Sequence, residues 1–71
     1  MRLNTYIHTL VDALGRTIEI VVDGENIADI MSGNGITEDA AADDLFQNAA
    51  GNAVARGEIG PECWVIATRT E

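Results

Sequence analysis

The chain has 71 residues, enough for one small domain and too few for two. It is 46% hydrophobic and 23% charged, which excludes a disordered segment, and its 4% aromatic content leaves little to line an enclosed cofactor pocket. Twelve acidic side chains face four arginines and no lysine, a formal charge of −8 that opposes direct binding to DNA, RNA or an anionic membrane.

From Leu3 to Val11 the residues alternate as in a strand. Leu3, Thr5, Ile7, Thr9 and Val11 form one side; Asn4, Tyr6 and His8 form the other. Asp12-Ala13-Leu14-Gly15 supplies a turn, and Thr17 to Val22 resumes the alternation with Ile18, Ile20 and Val22 on one face. An antiparallel hairpin follows. Its buried face is expected to hold Ile7, Ile18 and Ile20, and its open face Asn4, Tyr6, His8, Thr17 and Glu19.

Ile27, Ile30 and Met31 recur at helical spacing, so a short helix is predicted from Glu25 to Met31. Asp23 is its cap, and Ser32-Gly33-Asn34-Gly35 ends it. A third short strand over 26–31 is the weaker alternative. Thr37 then caps a long helix whose first turn holds Glu38 and Asp39, where the helix dipole favours negative charge. On a helical wheel Phe46 centres a narrow stripe with Ala42, Ala49, Ala50 and Ala53. Arg56 and Gly57 mark the end of this helix. After Glu58-Ile59-Gly60-Pro61-Glu62, the run Cys63 to Thr70 reads as a last strand. Its inward face is either Trp64 with Ile66, or Cys63 with Val65 and Ala67.

The expected fold is therefore one α+β domain over residues 1–71, in the order β-β-α-α-β. A three-stranded antiparallel sheet would carry the long helix and the short helix on one face, with the last strand pairing with the first.

No catalytic motif emerges. Ser32-Gly33-Asn34-Gly35 lacks the lysine of a phosphate loop, and Asp23-Gly24-Glu25 lacks the alternating ligands of a calcium loop. The acidic acyl-carrier pattern fails because Asp43-Asp44-Leu45 contains no serine. His8 and Cys63 are single residues of their kind; Cys63 alone allows neither an internal disulfide nor a cysteine metal cluster. The expectation is a non-enzymatic protein with no cofactor and no metal. The N-terminus has no continuous apolar run of a secretory signal, and a cytoplasmic setting is expected.

The distribution of acid is more informative. Glu38, Asp39, Asp43 and Asp44 place four carboxylates within two helical turns, and Glu25 and Asp29 extend the cluster onto the preceding helix. The dipole accounts for Glu38 and Asp39, but like charges at i, i+4 cost a few tenths of a kcal/mol. These six residues are the candidate site for a basic partner surface.

In size, charge, hairpin, acidic helix start at Thr37-Glu38-Asp39 and last strand with Cys63-Trp64-Val65-Ile66, the chain resembles the small acidic anti-CRISPR proteins that phages use against bacterial defence. That resemblance implies a small sheet with one or two helices and an inhibitor working in the cytoplasm of an infected bacterium. Such an inhibitor would occupy a basic nucleic-acid-binding surface of a CRISPR–Cas complex. It carries over no individual residue. A monomer or weak homodimer is expected, and a structural or accessory interaction module is the alternative reading.

Overall fold

The computed structural model describes residues 3–71; Met1 and Arg2, the latter counted among the four arginines, lie outside the described residues. The elements are β1 (Tyr6–Asp12), β2 (Thr17–Val22), α1 (Gly24–Asn34), α2 (Glu38–Ala55) and β3 (Cys63–Thr70). All pairings are antiparallel and the sheet order is β2-β1-β3, so the α+β architecture read from the sequence is the one observed.

Local chemistry explains most of the boundaries. The side chain of Asp23 accepts from the Glu25 amide at 2.8 Å and starts α1. This helix runs on through Ser32, Gly33 and Asn34, beyond the end expected at Met31. The break comes only at Gly35, which turns left-handed at φ 64° and donates its N–H to the Met31 carbonyl. Residues 26–31 are thus helix, not strand. Thr37 caps α2 by accepting from the Ala40 amide at 3.2 Å. At the other end Gly57 adopts φ 74°, Gly57 donates to the Val54 carbonyl and Glu58 to the Ala53 carbonyl. That pair of bonds is a Schellman motif and directs Ile59 into the core.

The face of β1 differs from expectation. The register sets Tyr6 opposite Val22, His8 opposite Ile20 and Leu10 opposite Ile18, so Tyr6, His8 and Leu10 share the helix-covered face. Ile7, Thr9 and Val11 face away with Val21, Glu19 and Thr17. The alternation offered apolar residues on both sides, and Leu10, almost wholly enclosed, decides the parity. Ile7 is nonetheless only 5% exposed. The Arg69–Glu19 ion pair, at 3.0 Å, reaches from β3 to β2 across the central strand beside it.

The last strand follows neither expected face completely. Cys63 lies opposite Asp12 and Val65 opposite Leu10, on the helix side, whereas Trp64 lies opposite Val11 on the other. The register then slips between Thr9 and Leu10, leaving Ile66 as the extra residue, so Ala67 opposes Thr9 on the outer face. This β-bulge is why a simple alternation fails along β3.

The core is formed by Leu10, Ile20, Val22, Ile27, Ala41, Ala53 and Ile59. On α2 the enclosed residues are Ala41 and Ala53, so the buried stripe is centred near Leu45 and Ala49, and Phe46 is at its edge, half-buried. α2 packs on α1 and β2, and the positions it encloses fully hold alanine, while the larger Leu45, Phe46 and Val54 pack against the core only partly buried. Ile7, on the far side of the sheet, is not among its partners. Phe46→Ala is therefore expected to cost about 2 kcal/mol, below the 3–5 kcal/mol of a fully buried phenylalanine, as read from a thermal melt.

Two long-range ties complete the fold. Gly24 approaches the backbone of Leu3 and Asn4 so closely that a Cβ there would collide with the Leu3 carbonyl oxygen and lie 2.9 Å from that of Asn4. Asp12, 2% exposed, accepts from the amides of Leu14, Arg16 and Gly60, each at 2.9 Å, and from Arg16 Nε at 2.8 Å. One carboxylate thus joins the hairpin loop to the segment entering β3.

Candidate functional site

The two helices form a layer of one charge sign. From Gly24 to Ala55 the chain carries six carboxylates and no arginine, lysine or histidine. The described arginines are committed elsewhere: Arg16 to Asp12, Arg56 to Glu58 and Arg69 to Glu19. None of these ion pairs involves a helical carboxylate.

Each sequence-predicted site residue has a definite place. Glu25 and Asp29 are exposed and one turn apart on α1, with Glu25 in the first turn. Glu38 is half-buried and accepts from the Tyr6 hydroxyl at 3.1 Å. That bond, reinforced by the charge of Glu38, raises the pKa of the Tyr6 phenol above its ordinary 10.0. Asp39 and Asp43 are exposed, one turn apart, and lie together on the wall of a surface groove. Asp44 is exposed outside that groove, as are Glu25 and Asp29. The six residues therefore share a layer, but only Asp39 and Asp43 share a concavity.

The groove exists because the helices are offset toward β2, leaving the helix-side face of β3 uncovered. At one end it encloses 320 Å³, with His8, Val65 and Thr68 opposite Ala42, Phe46 and the two aspartates. Phe46 and Val65 also border a second depression of 350 Å³, which continues toward Val54, Pro61 and Cys63. His8 Nδ1 is 2.9 Å from the Thr68 hydroxyl, and its ring meets Phe46 edge-on with centroids 4.7 Å apart. Tyr6, expected on the open face, instead shares the helix side of β1 with His8 and Leu10, where its hydroxyl reaches Glu38 of α2.

This concavity was not anticipated. Its signal was the run Trp64-Val65-Ile66: three consecutive large apolar residues cannot all point inward from one strand. They are 54%, 42% and 55% exposed.

His8 is engaged by a hydroxyl and a phenyl ring, and Cys63 is half-buried on the helix side of β3. Among the described residues, no group of three or more His, Cys, Asp or Glu is placed to hold a metal ion, and no helix is long and apolar enough to cross a membrane. Comparison with known protein families, with curated proteins and with solved structures finds no match to this chain.

Proposed function

We propose that this chain is a non-enzymatic inhibitor whose acidic helical layer binds a basic, nucleic-acid-handling surface of a bacterial defence complex of the CRISPR–Cas kind and denies nucleic acid access to it. The observation that carries the reading is the charge segregation: six carboxylates over 24–55, no basic residue among them, and the described arginines all paired elsewhere. Exposed carboxylates on a rigid helical surface present to lysine and arginine the sign of charge that a phosphate backbone presents. Long-range attraction would speed association with a basic channel, and added salt would weaken it. The site of action is the cytoplasm of an infected bacterium, and the acting species is a monomer or weak homodimer.

The test is displacement of a labelled oligonucleotide from a purified CRISPR–Cas complex over a salt series. Reversing Asp43→Lys and Asp44→Lys together is expected to weaken displacement at least about tenfold, since repulsion replaces attraction at two exposed positions. Glu71→Lys serves as the comparison and should cost much less. Glu19 is a poorer comparison because it holds Arg69. Displacement unaffected by the double reversal would refute the reading.

A structural or accessory module is favoured by one observation, the exposure of Trp64 and Ile66 on β3. In that case Trp64→Ser would abolish a dimer visible by light scattering, and reversing the helical charges would leave it intact.

A further inference from the structure

The geometry points to the groove between α2 and the helix-side face of β1 and β3 as the docking site for an amphipathic, basic helix of a partner protein. This inference rests on the acidic-surface reading above and narrows it to one concavity and one class of occupant.

The shape comes first. Strands lie about 4.8 Å apart and a helix is about 10 Å across, so a helix centred on β2 leaves the third strand bare. Here α2 packs on β2 and α1, and the bare strand is β3. The two depressions share Phe46 and Val65 and together span Asp39 to Val54 along α2. That distance is about 22 Å, or four helical turns. A second helix lying beside α2 at the usual interaxial distance of about 8–10 Å would complete the helical layer.

Chemistry then selects the occupant. Ala42, Phe46, Val65 and Val54 offer an apolar strip along the groove, and Asp39 and Asp43 stand one turn apart at one end. A helix with an apolar stripe and lysine or arginine at i, i+4 along one border complements both features. Addition of a strand to the edge of β3 is a poorer fit, because the bulge at Ile66 breaks the regular edge and the groove lies over the sheet face. A second copy of the chain is also poorer. It would bring a further charge of −8, and each of its described arginines is already held by a carboxylate.

The experiment uses a fluorescein-labelled 18-residue peptide of leucine and lysine, patterned as an amphipathic helix, with anisotropy as the readout. A second peptide of identical composition alternates leucine and lysine to favour a strand. Saturable 1:1 binding of the helical peptide is expected. Val65→Lys and Asp43→Lys, both at exposed positions and checked for folding by circular dichroism, should each weaken it about tenfold or more; Glu71→Lys should leave it within about twofold.

Four outcomes would overturn the inference. These are absence of saturation, equal weakening by Glu71→Lys, tighter binding of the alternating peptide, and a stable wild-type dimer at micromolar concentration that Val65→Lys converts to monomer. Loss of peptide binding alongside intact, salt-sensitive displacement of oligonucleotide would remove the groove and leave the acidic-surface reading standing. Peptide binding without displacement would do the reverse.

Discussion

Ile27→Ala is expected to lower the melting temperature by about 10–25 °C. Ile27 is 0% exposed on α1, within the cluster formed with Leu10, Ile20, Val22, Ala41, Ala53 and Ile59. Removing a buried isoleucine to alanine costs about 2–5 kcal/mol, because transfer energy is lost and a cavity remains. A domain of this length has roughly 4–10 kcal/mol of stability in total, so one side chain carries a large share. Relaxation cannot readily close the gap, since α2 already meets this core through alanine and α1 is held by the close approach of Gly24 to Leu3 and Asn4. Ile27→Val, which keeps most of the volume, should cost only about 0.5–1.5 kcal/mol. Nearly equal melts for the two variants would show that Ile27 is not enclosed.

The second large effect concerns acid. Burial alone would raise the pKa of Asp12, but hydrogen bonds from the Gly60 and Arg16 amides, the Arg16 guanidinium and the Leu14 amide outweigh it and hold the carboxyl at about 2. The folded value lies below the ordinary 3.8, so the folded state binds fewer protons than the unfolded one. The contribution is complete above about pH 4 and is lost as pH falls toward 2. Asp12→Asn replaces one acceptor oxygen with an amide that donates toward groups that themselves donate, and leaves Arg16 without its carboxylate. The variant should melt well below the wild type at pH 7, and the difference should shrink as pH drops through this window. Glu58, lowered by Arg56, supplies a weaker and more exposed trend of the same sign in both proteins. Parallel pH profiles for the two proteins would assign the acid lability to other groups.

What could be read along the chain, and what could not, divides by the range of the interaction involved. Asp23, Thr37 and Gly57 act on neighbours within a few residues, so both helix starts and the end of α2 were legible. Gly33 looked like a breaker yet stays helical, because helix breaking depends on where the left-handed conformation falls, and that is Gly35. The face of β1 was illegible for a different reason. Ile7 and Val11 compete with Tyr6 and Leu10, and the choice is made by the enclosure of Leu10 on the face that Ile20 and Val22 also bury, which alternation along β1 alone does not reveal. Phe46 drew the helical stripe toward itself by size, whereas close packing against α1 and β2 rewards the smallest side chains, Ala41 and Ala53. Asp12 looked like a turn residue; its buried bond to Gly60 joins positions 48 residues apart and has no local signature.

The candidate site divides in the same way. The six carboxylates of the helical layer stand out from charge counting alone, and the lack of any basic residue from 24 to 55 is visible in the same count. That Asp39 and Asp43 border an apolar groove follows only once α2 is seen to sit toward β2, leaving β3 uncovered.

The central claim is that the helical carboxylates are the contact surface. It is tested most directly by carbodiimide footprinting of the free chain and of the chain bound to a purified CRISPR–Cas complex, with each modified carboxyl located by mass spectrometry. Glu25, Asp29, Asp39, Asp43 and Asp44 are exposed and should label in the free chain, as should Glu62 and Glu71. In the complex the helical set is expected to be shielded, Asp39 and Asp43 most of all, with Glu62 and Glu71 still modified. Continued labelling of the helical carboxylates in the complex, with loss of labelling at Glu62 or Glu71 instead, would contradict the account.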